Sequence, residues 1–323
     1  YRWKQPGYGE IGWSPFVSPY GPTNISTNIS EADPFWKYQF DINVYAARLQ
    51  FLMQSGAPDA DWLVYLPVFD NPDDTRFKPA VDALNAAGRT WEWVNDDLLT
   101  RAEWTQAGLR IVAMTFQGVV LPDIAAMPLP TVEALAVLAR AGLPVAVYGQ
   151  APVRQPGFLD PIENDRAVAS QMQTVVDQPS SALFADSHQL AQFIEDLPAG
   201  SISYAHHPSL RAIRRTLGDG RHLAFVRNTA TQSTRFTLAI DPSLRACYWL
   251  EAATGNIYAA QVQQNSLTGW LPGHGSIAVV CSPDSMFAAG AMTPGDPTEE
   301  PMVSEVFPLD DFRLEIVGDD VPN

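Results

Sequence analysis

The first residues that could do chemistry form an aromatic loop near the start of the chain. Residues 3–20 are punctuated by glycine and proline and hold five aromatic side chains, Trp3, Tyr8, Trp13, Phe16 and Tyr20. Flat apolar rings can stack on the C–H-rich face of a sugar, whose hydroxyls then bond at the rim. The same loop carries the carboxylate of Glu10. We predict that Trp13, Tyr20 and Glu10 bind substrate, with coverage of a helix and a sheet as the alternative role of the rings.

Catalytic, metal and nucleotide sites have no comparable support. Glycoside hydrolysis uses a pair of carboxylates, and no convincing partner for Glu10 lies nearby in the sequence. The acidic turn at residues 70–74 lacks the ligand spacing of an EF-hand, so we expect a solvated turn rather than a calcium site. The adjacent residues His206 and His207 would point to opposite faces of a strand, so we expect surface or packing histidines rather than metal ligands. No glycine-rich phosphate motif follows the first strand. We therefore predict no catalytic residue, no metal and no cofactor here.

Two glycosylation patterns occur in tandem within the stretch NISTNIS. Asn24 and Asn28 each begin an Asn-x-Ser triplet, which is the acceptor pattern for N-linked glycans on secreted proteins. The alternative is a polar loop that matches the pattern by chance. We predict Asn24 and Asn28 as glycosylation sites of a secreted, extracellular protein.

Charge and cysteine content limit the partners and the compartment. The 323 residues include 20 basic and 36 acidic side chains, for a net charge of −16. This balance argues against nucleic acid, whose phosphates need lysine and arginine, and against an anionic membrane surface. No apolar run reaches the roughly 20 residues of a membrane helix. Cys247 and Cys281 could form one disulfide or remain two buried thiols.

Hydrophobic periodicity divides the chain into four parts. Apolar residues at helical spacing predict one helix over 34–55, between Asp33 and Gly56. Strands and helices then alternate through residues 59–198, which is typical of a doubly wound parallel sheet of the flavodoxin type. The predicted strands are 61–68, 90–95, 108–116, 143–149 and 181–186, and the predicted helices are 76–88, 131–142, 163–176 and 187–197. Residues 199–284 hold short alternating strands and predict an antiparallel β-sandwich. Residues 285–323 are expected to be a linker and the first strand of a further domain.

Two groups of residues resemble the large α-L-rhamnosidases of glycoside hydrolase family 106. The first group is Gly12-Trp13-Ser14-Pro15-Phe16, Phe35-Trp36 and Ala47-Arg48-Leu49-Gln50-Phe51-Leu52. The second is the stretch from Trp249 to Gly255, where the family has a W-D-x-x-T-G turn and this chain reads W-L-E-A-A-T-G. The aspartate is therefore shifted or replaced. The resemblance covers roughly residues 8–283, and its motifs are structural.

The resemblance implies a secreted hydrolase that releases L-rhamnose from a plant or microbial glycan. Residues 1–58 would be the last loop and helix of a (β/α)8 barrel, and residues 59–198 an amidotransferase-like, flavodoxin-like domain. The catalytic carboxylates would lie on barrel strands before Tyr1. The expected partners are a carbohydrate and that N-terminal barrel portion of the same polypeptide. Family 42 β-galactosidases have a similar domain order and are the nearest alternative; a non-catalytic glycan-binding or assembly module is another.

Overall fold

Helix α1 is the first element of the chain that the structure shows. The computed structural model describes residues 36–70, 74–205, 207–284, 295 and 297–298. A 3-10 turn, Trp36–Tyr38, leads into α1, Gln39–Gln54. The helix ends where predicted, because the Ser55 hydroxyl donates to the carbonyl of Phe51 and Gly56 takes a left-handed φ of 65°. Strand β1, Ala57–Pro58, follows directly.

Five parallel strands form the central sheet of the next part of the chain. They are β2 (Trp62–Tyr65), β3 (Trp91–Val94), β7 (Gly118–Leu121), β8 (Val145–Tyr148) and β9 (Ser181–Phe184). Their order across the sheet is β3-β2-β7-β8-β9. All four residues of β2 and of β7 are buried, as expected for central strands that are covered on both faces.

Helices cover both faces of this parallel sheet. They are α2 (Asp74–Ala86), α3 (Asp96–Thr100), α4 (Leu129–Arg140), α5 (Pro161–Val176) and α6 (Ser187–Glu195). Helices α2 and α6 pack on one face, against alternate strand residues such as Trp62 and Val64. Helices α3, α4 and α5 pack on the other face, against Leu63 and Tyr65. The alternating predictions for residues 59–198 therefore describe a real parallel sheet with helices on either side.

One predicted strand of this region is wrong. The apolar run 108–116 is not a single parallel strand, because the chain reverses within it at Val112, which has a left-handed φ of 55°. The run forms β5 (Gly108–Ile111) and β6 (Met114–Phe116), which join β4 (Glu103–Thr105) in a small antiparallel sheet. The parallel strand is β7, two residues further on. Neither glycine nor asparagine marks the turn in the sequence.

Two antiparallel sheets share one core in the last described part of the chain. The strands are β10 (Ile202–Tyr204), β11 (Leu210–Thr216), β12 (His222–Asn228), β13 (Thr234–Ile240), β14 (Ala246–Leu250), β15 (Ile257–Ala260), β16 (Ser266–Leu271) and β17 (Ser276–Ser282). One sheet has the order β1-β11-β12-β17-β14-β15 and the other β10-β13-β16. Trp249 of the first sheet meets Phe236 of the second at 5.9 Å between ring centroids. Strand β16 was not predicted, although its burial alternates along the strand.

The two cysteines lie opposite each other within this core. Cys247 on β14 and Cys281 on β17 are direct cross-strand partners. They form a disulfide with an S–S distance of 2.00 Å. Of the two alternatives that the sequence left open, the structure therefore has the bridge rather than two thiols.

A buried ion pair joins the parallel sheet to the antiparallel sheets. Arg214 on β11 donates to Oδ1 of Asp61, just before β2, at 2.7 Å, and both side chains are almost fully buried. The backbone N–H groups of Gly200 and Thr90 also donate to the Asp61 carboxylate. A buried charge left without its partner is strongly destabilising, so this network fixes the two regions against each other.

Candidate functional site

The residues predicted to bind sugar or carry glycans lie outside the part of the chain that the structure describes. This holds for Glu10, Trp13, Tyr20, Asn24 and Asn28, and these assignments stay predictions. Of the predicted site residues, the structure describes only Cys247 and Cys281, which form the bridge.

Metal and membrane sites find no support in the described residues. Within them, no group of three or more His, Cys, Asp or Glu side chains could hold a metal ion. None of their helices is long and apolar enough to cross a membrane. The imidazole of His207 lies between the hydroxyls of Ser209 and Thr234, at 3.3 and 3.0 Å. This ring therefore ties the turn before β11 to β13, in agreement with the packing role preferred from the sequence.

A crevice lies outside the carboxyl ends of the parallel strands. Helix α2 follows β2 on one face of the sheet and α4 follows its neighbour β7 on the other. The loops that leave two such strands diverge, and this is where doubly wound sheets bind ligands. The crevice has a volume of about 430 Å³. Its wall comes from the loops and first helical turns after four strands, including Phe69, Asp96, Pro128, Thr131 and Gln155.

Hydrogen bonds orient the carboxylate of Asp96 at this crevice. Asn95 follows β3 and caps α3 by accepting from the N–H of Leu98, which places Asp96 in the first helical turn. Oδ1 of Asp96 accepts from the hydroxyls of Tyr65 and Thr131, each at 2.7 Å. Burial and the neighbouring Asp96 carboxylate raise the pKa of Tyr65, so the phenol remains a donor. No partner in the described residues engages Oδ2 of Asp96.

The other carboxylates at this edge are engaged by arginine. Oδ2 of Asp70 accepts from Arg76 at 3.1 Å and from the N–H of Ala125 at 2.7 Å. The same guanidinium lies 3.8 Å from Asp123, which follows β7. This group ties the loop after β2 to the loop after β7. Asp70 is thus a structural residue, whereas the sequence indicated a solvated acidic turn; Asp73, of the same turn, lies outside the described residues.

A second candidate surface is formed by α1 on the six-stranded sheet. Leu52 packs on Leu223, Ala278 and Val280 of the outer sheet face. The guanidinium of Arg48 donates to the carbonyls of Ala252 and Ala253, at 3.0 and 2.8 Å. Arg48 belongs to the first family-like motif, and residues 252–253 belong to the second. The two motifs therefore contact each other, and together they attach α1 to the turn after β14.

Several large apolar side chains of α1 and of the turn before it are exposed in the described structure. Phe40 and Phe51 are 75% and 73% exposed. Trp36 and Tyr38 of the preceding turn and Ile42 are also exposed, and we call this set the exposed apolar residues of α1. Apolar surface of this kind is usually covered by a partner. The sequence signal for it was already present, because apolar residues occur all around the helix rather than along one stripe.

The chain belongs to glycoside hydrolase family 106, the α-L-rhamnosidases, whose family model matches residues 24–263. Comparison with curated proteins gives no significant match. Among solved structures, a rhamnosidase from Novosphingobium sp. PP1Y has a TM-score of 0.58 and 14% identity, with 84% of this chain and 27% of that chain covered. Gan42B, a GH42 β-galactosidase, has a TM-score of 0.50 and 7% identity, with 78% and 44% covered.

These structural likenesses concern the fold, since both identities are low. The chain spans about a quarter of the length of the solved rhamnosidase. The resemblance read from the sequence is confirmed at the level of the family, and the mixed architecture of a parallel sheet followed by antiparallel sheets is shared with glycosidases.

Proposed function

We propose that this chain is part of a larger secreted glycoside hydrolase that releases L-rhamnose from a plant or microbial glycan. The observation that carries the proposal is the match to the α-L-rhamnosidase family over residues 24–263. The described residues supply docking surfaces and a crevice, which fits an auxiliary role for these regions. The catalytic carboxylates would then lie elsewhere in the polypeptide.

The proposed domain organisation follows from the order of the elements. Residues 1–58 would be the last loop and helix of a (β/α)8 barrel, and residues 59–198 a flavodoxin-like domain. The strand order β3-β2-β7-β8-β9 supports the latter, because it is the 2-1-3-4-5 order of that fold. Residues 199–284 would be a β-sandwich, supported by the core common to the two antiparallel sheets. Residues 285–323 would be a linker and the first strand of another domain.

The proposed partner of α1 is the barrel portion of the same polypeptide. A barrel helix packs one side against its barrel and can present the other to a following domain. The exposed apolar residues of α1, including Phe40 and Phe51, support this arrangement. The loop before α1 would then reach the rim of the active site, where Trp13, Tyr20 and Glu10 would contact the sugar.

The activity can be tested by product analysis with the intact protein. Incubation with a rhamnose-bearing glycan should release free L-rhamnose, detected by chromatography. Trp13→Ala should weaken substrate binding and raise KM, whereas Trp93→Ala, which removes a ring from the parallel sheet, should leave KM unchanged. Release of galactose without rhamnose would favour the β-galactosidase alternative. Binding of a glycan without any hydrolysis would favour the non-catalytic module.

Secretion and glycosylation are part of the same proposal. The disulfide between Cys247 and Cys281 is of a kind that persists in oxidising compartments, which supports an extracellular location. Treatment of the native protein with an N-glycosidase should lower its mass if Asn24 or Asn28 carries a glycan. An unchanged mass would remove glycosylation from the proposal without affecting the hydrolase assignment.

A further inference from the structure

We propose that the crevice at the carboxyl edge of the parallel sheet binds the pyranose ring of a neutral sugar. This inference does not depend on the proposed hydrolase activity. It rests on the place of the crevice, its walls and the polar groups that line it.

The walls of the crevice suit a flat, partly apolar ligand. The ring of Phe69 stands on the loop after β2 and is 62% exposed. Pro128, Pro130 and Pro156 add rigid apolar surface. Sugar rings present C–H groups on their faces, and such groups stack well on aromatic and apolar walls. The volume of about 430 Å³ falls within the range of small-molecule sites.

The polar groups of the crevice offer both an acceptor and a donor. Oδ2 of Asp96 is an acceptor without a partner in the described structure, on a carboxylate held in place by Tyr65 and Thr131. The side-chain amide of Gln155 donates to the carbonyl of Pro156 at 3.0 Å, and its second N–H has no hydrogen-bond partner among the described residues. A hydroxyl can donate to Asp96 and accept from Gln155. An ammonium group can only donate, so it would leave the amide of Gln155 unmatched.

The charges around the crevice disfavour anions. Asp97 is paired with Arg101, and Asp70 and Asp123 share Arg76, which leaves Asp96 as a negative charge without a cationic partner among the described residues. Pro130 lies at the start of α4, where it removes one of the N–H groups that a phosphate would use. A neutral hydroxylated ligand fits this field better than a phosphate.

Calorimetry on the intact protein tests the inference, with methyl α-L-rhamnopyranoside and methyl β-D-galactopyranoside as probes. Phe69→Ala should raise the Kd of the pyranoside at the crevice about tenfold. This corresponds to a loss of about 1.4 kcal/mol of binding free energy. Asp96→Asn should also weaken this binding. Phe158→Ala is the matched control, since this ring is 99% exposed on a neighbouring loop and does not line the crevice; its binding should equal that of the unmodified protein.

Three results would overturn the inference. The first is unchanged pyranoside binding in both Phe69→Ala and Asp96→Asn. The second is an equal loss of pyranoside affinity in Phe69→Ala and Phe158→Ala. The third is displacement of the pyranoside from this site by inorganic phosphate or tetramethylammonium at lower concentration than by a second pyranoside. Turnover of glycosides by Phe69→Ala should stay normal, so failure of the site and failure of the proposed activity give different results.

Discussion

The attachment of α1 depends on one arginine, and its removal gives a quantitative prediction. Arg48 donates two hydrogen bonds to the carbonyls of Ala252 and Ala253. A hydrogen bond that involves a charged group contributes roughly 1.5–3 kcal/mol. Partial exposure of the guanidinium lowers that contribution through solvent screening. Arg48→Met keeps most of the apolar stem and should therefore reduce the free energy of α1 attachment by about 2 kcal/mol.

Hydrogen exchange measures this loss locally. The amides of α1 should exchange faster in Arg48→Met by the factor that corresponds to about 2 kcal/mol, roughly thirtyfold. The amides of α4 should not change. Arg140→Met is the matched control, because Arg140 is an exposed helical arginine with no side-chain partner among the described residues. Equal exchange of α1 in the two variants would refute the role of Arg48.

Gly255 provides an independent check on the same contact. A Cβ atom at this position would lie 2.9 Å from the Arg48 guanidinium, and the backbone φ is +84°. Gly255→Ala should lower the free energy of unfolding by roughly 1–2 kcal/mol, because alanine is strained in the left-handed backbone conformation. The clash with the Arg48 guanidinium should lower it further. The clash disappears in the Arg48→Met background, so the two substitutions should be non-additive by at least about 0.5 kcal/mol. Strict additivity would show that the guanidinium does not lie over Gly255 in solution.

Two further predictions concern the disulfide and Tyr204, whose hydroxyl donates to the carbonyl of Asn85 on α2. Replacement of both Cys247 and Cys281 by alanine should lower the free energy of unfolding by roughly 3–4 kcal/mol, since the bridge closes a loop with a sequence separation of 34; a urea midpoint equal to that of the unmodified protein would contradict this. Burial raises the pKa of Tyr204 to about 12, so its contribution to stability is complete below pH 10 and is lost as the pH rises towards 12. Between these pH values the unmodified protein should lose on the order of 2 kcal/mol of its free energy of unfolding through Tyr204, and Tyr204→Phe should not show this loss. An identical pH dependence of the free energy of unfolding in both proteins would refute the raised pKa of Tyr204.

The sequence predicted most elements whose pattern is local. Strands β2 and β8 are short buried runs bounded by turns, and α6 begins just after Asp186, whose side chain caps it by accepting from the N–H of His188. The predicted strand 108–116 failed because its apolar run is continuous while the chain reverses at Val112. That reversal places an exposed valine in a left-handed conformation, which propensity alone argues against.

The candidate sites depend on contacts that no local pattern contains. Asp96 meets Tyr65 and Thr131 across sequence separations of 31 and 35, and Arg48 meets Ala252 across 204. Two signals were nevertheless available. Asp96 and Asp97 come one residue after the end of β3, and both partners of the Arg48 contact lie in the two family-like motifs. Which of these residues contact each other became visible only in the folded structure.

The ratio of kcat/KM for 4-nitrophenyl α-L-rhamnopyranoside to that for 4-nitrophenyl β-D-galactopyranoside tests the central claim most directly. The intact protein should hydrolyse the rhamnoside with a kcat/KM higher by at least about tenfold, which corresponds to 1.4 kcal/mol of transition-state discrimination. A ratio below one, or no hydrolysis of the rhamnoside, would contradict the proposal that this chain is part of a rhamnose-releasing hydrolase.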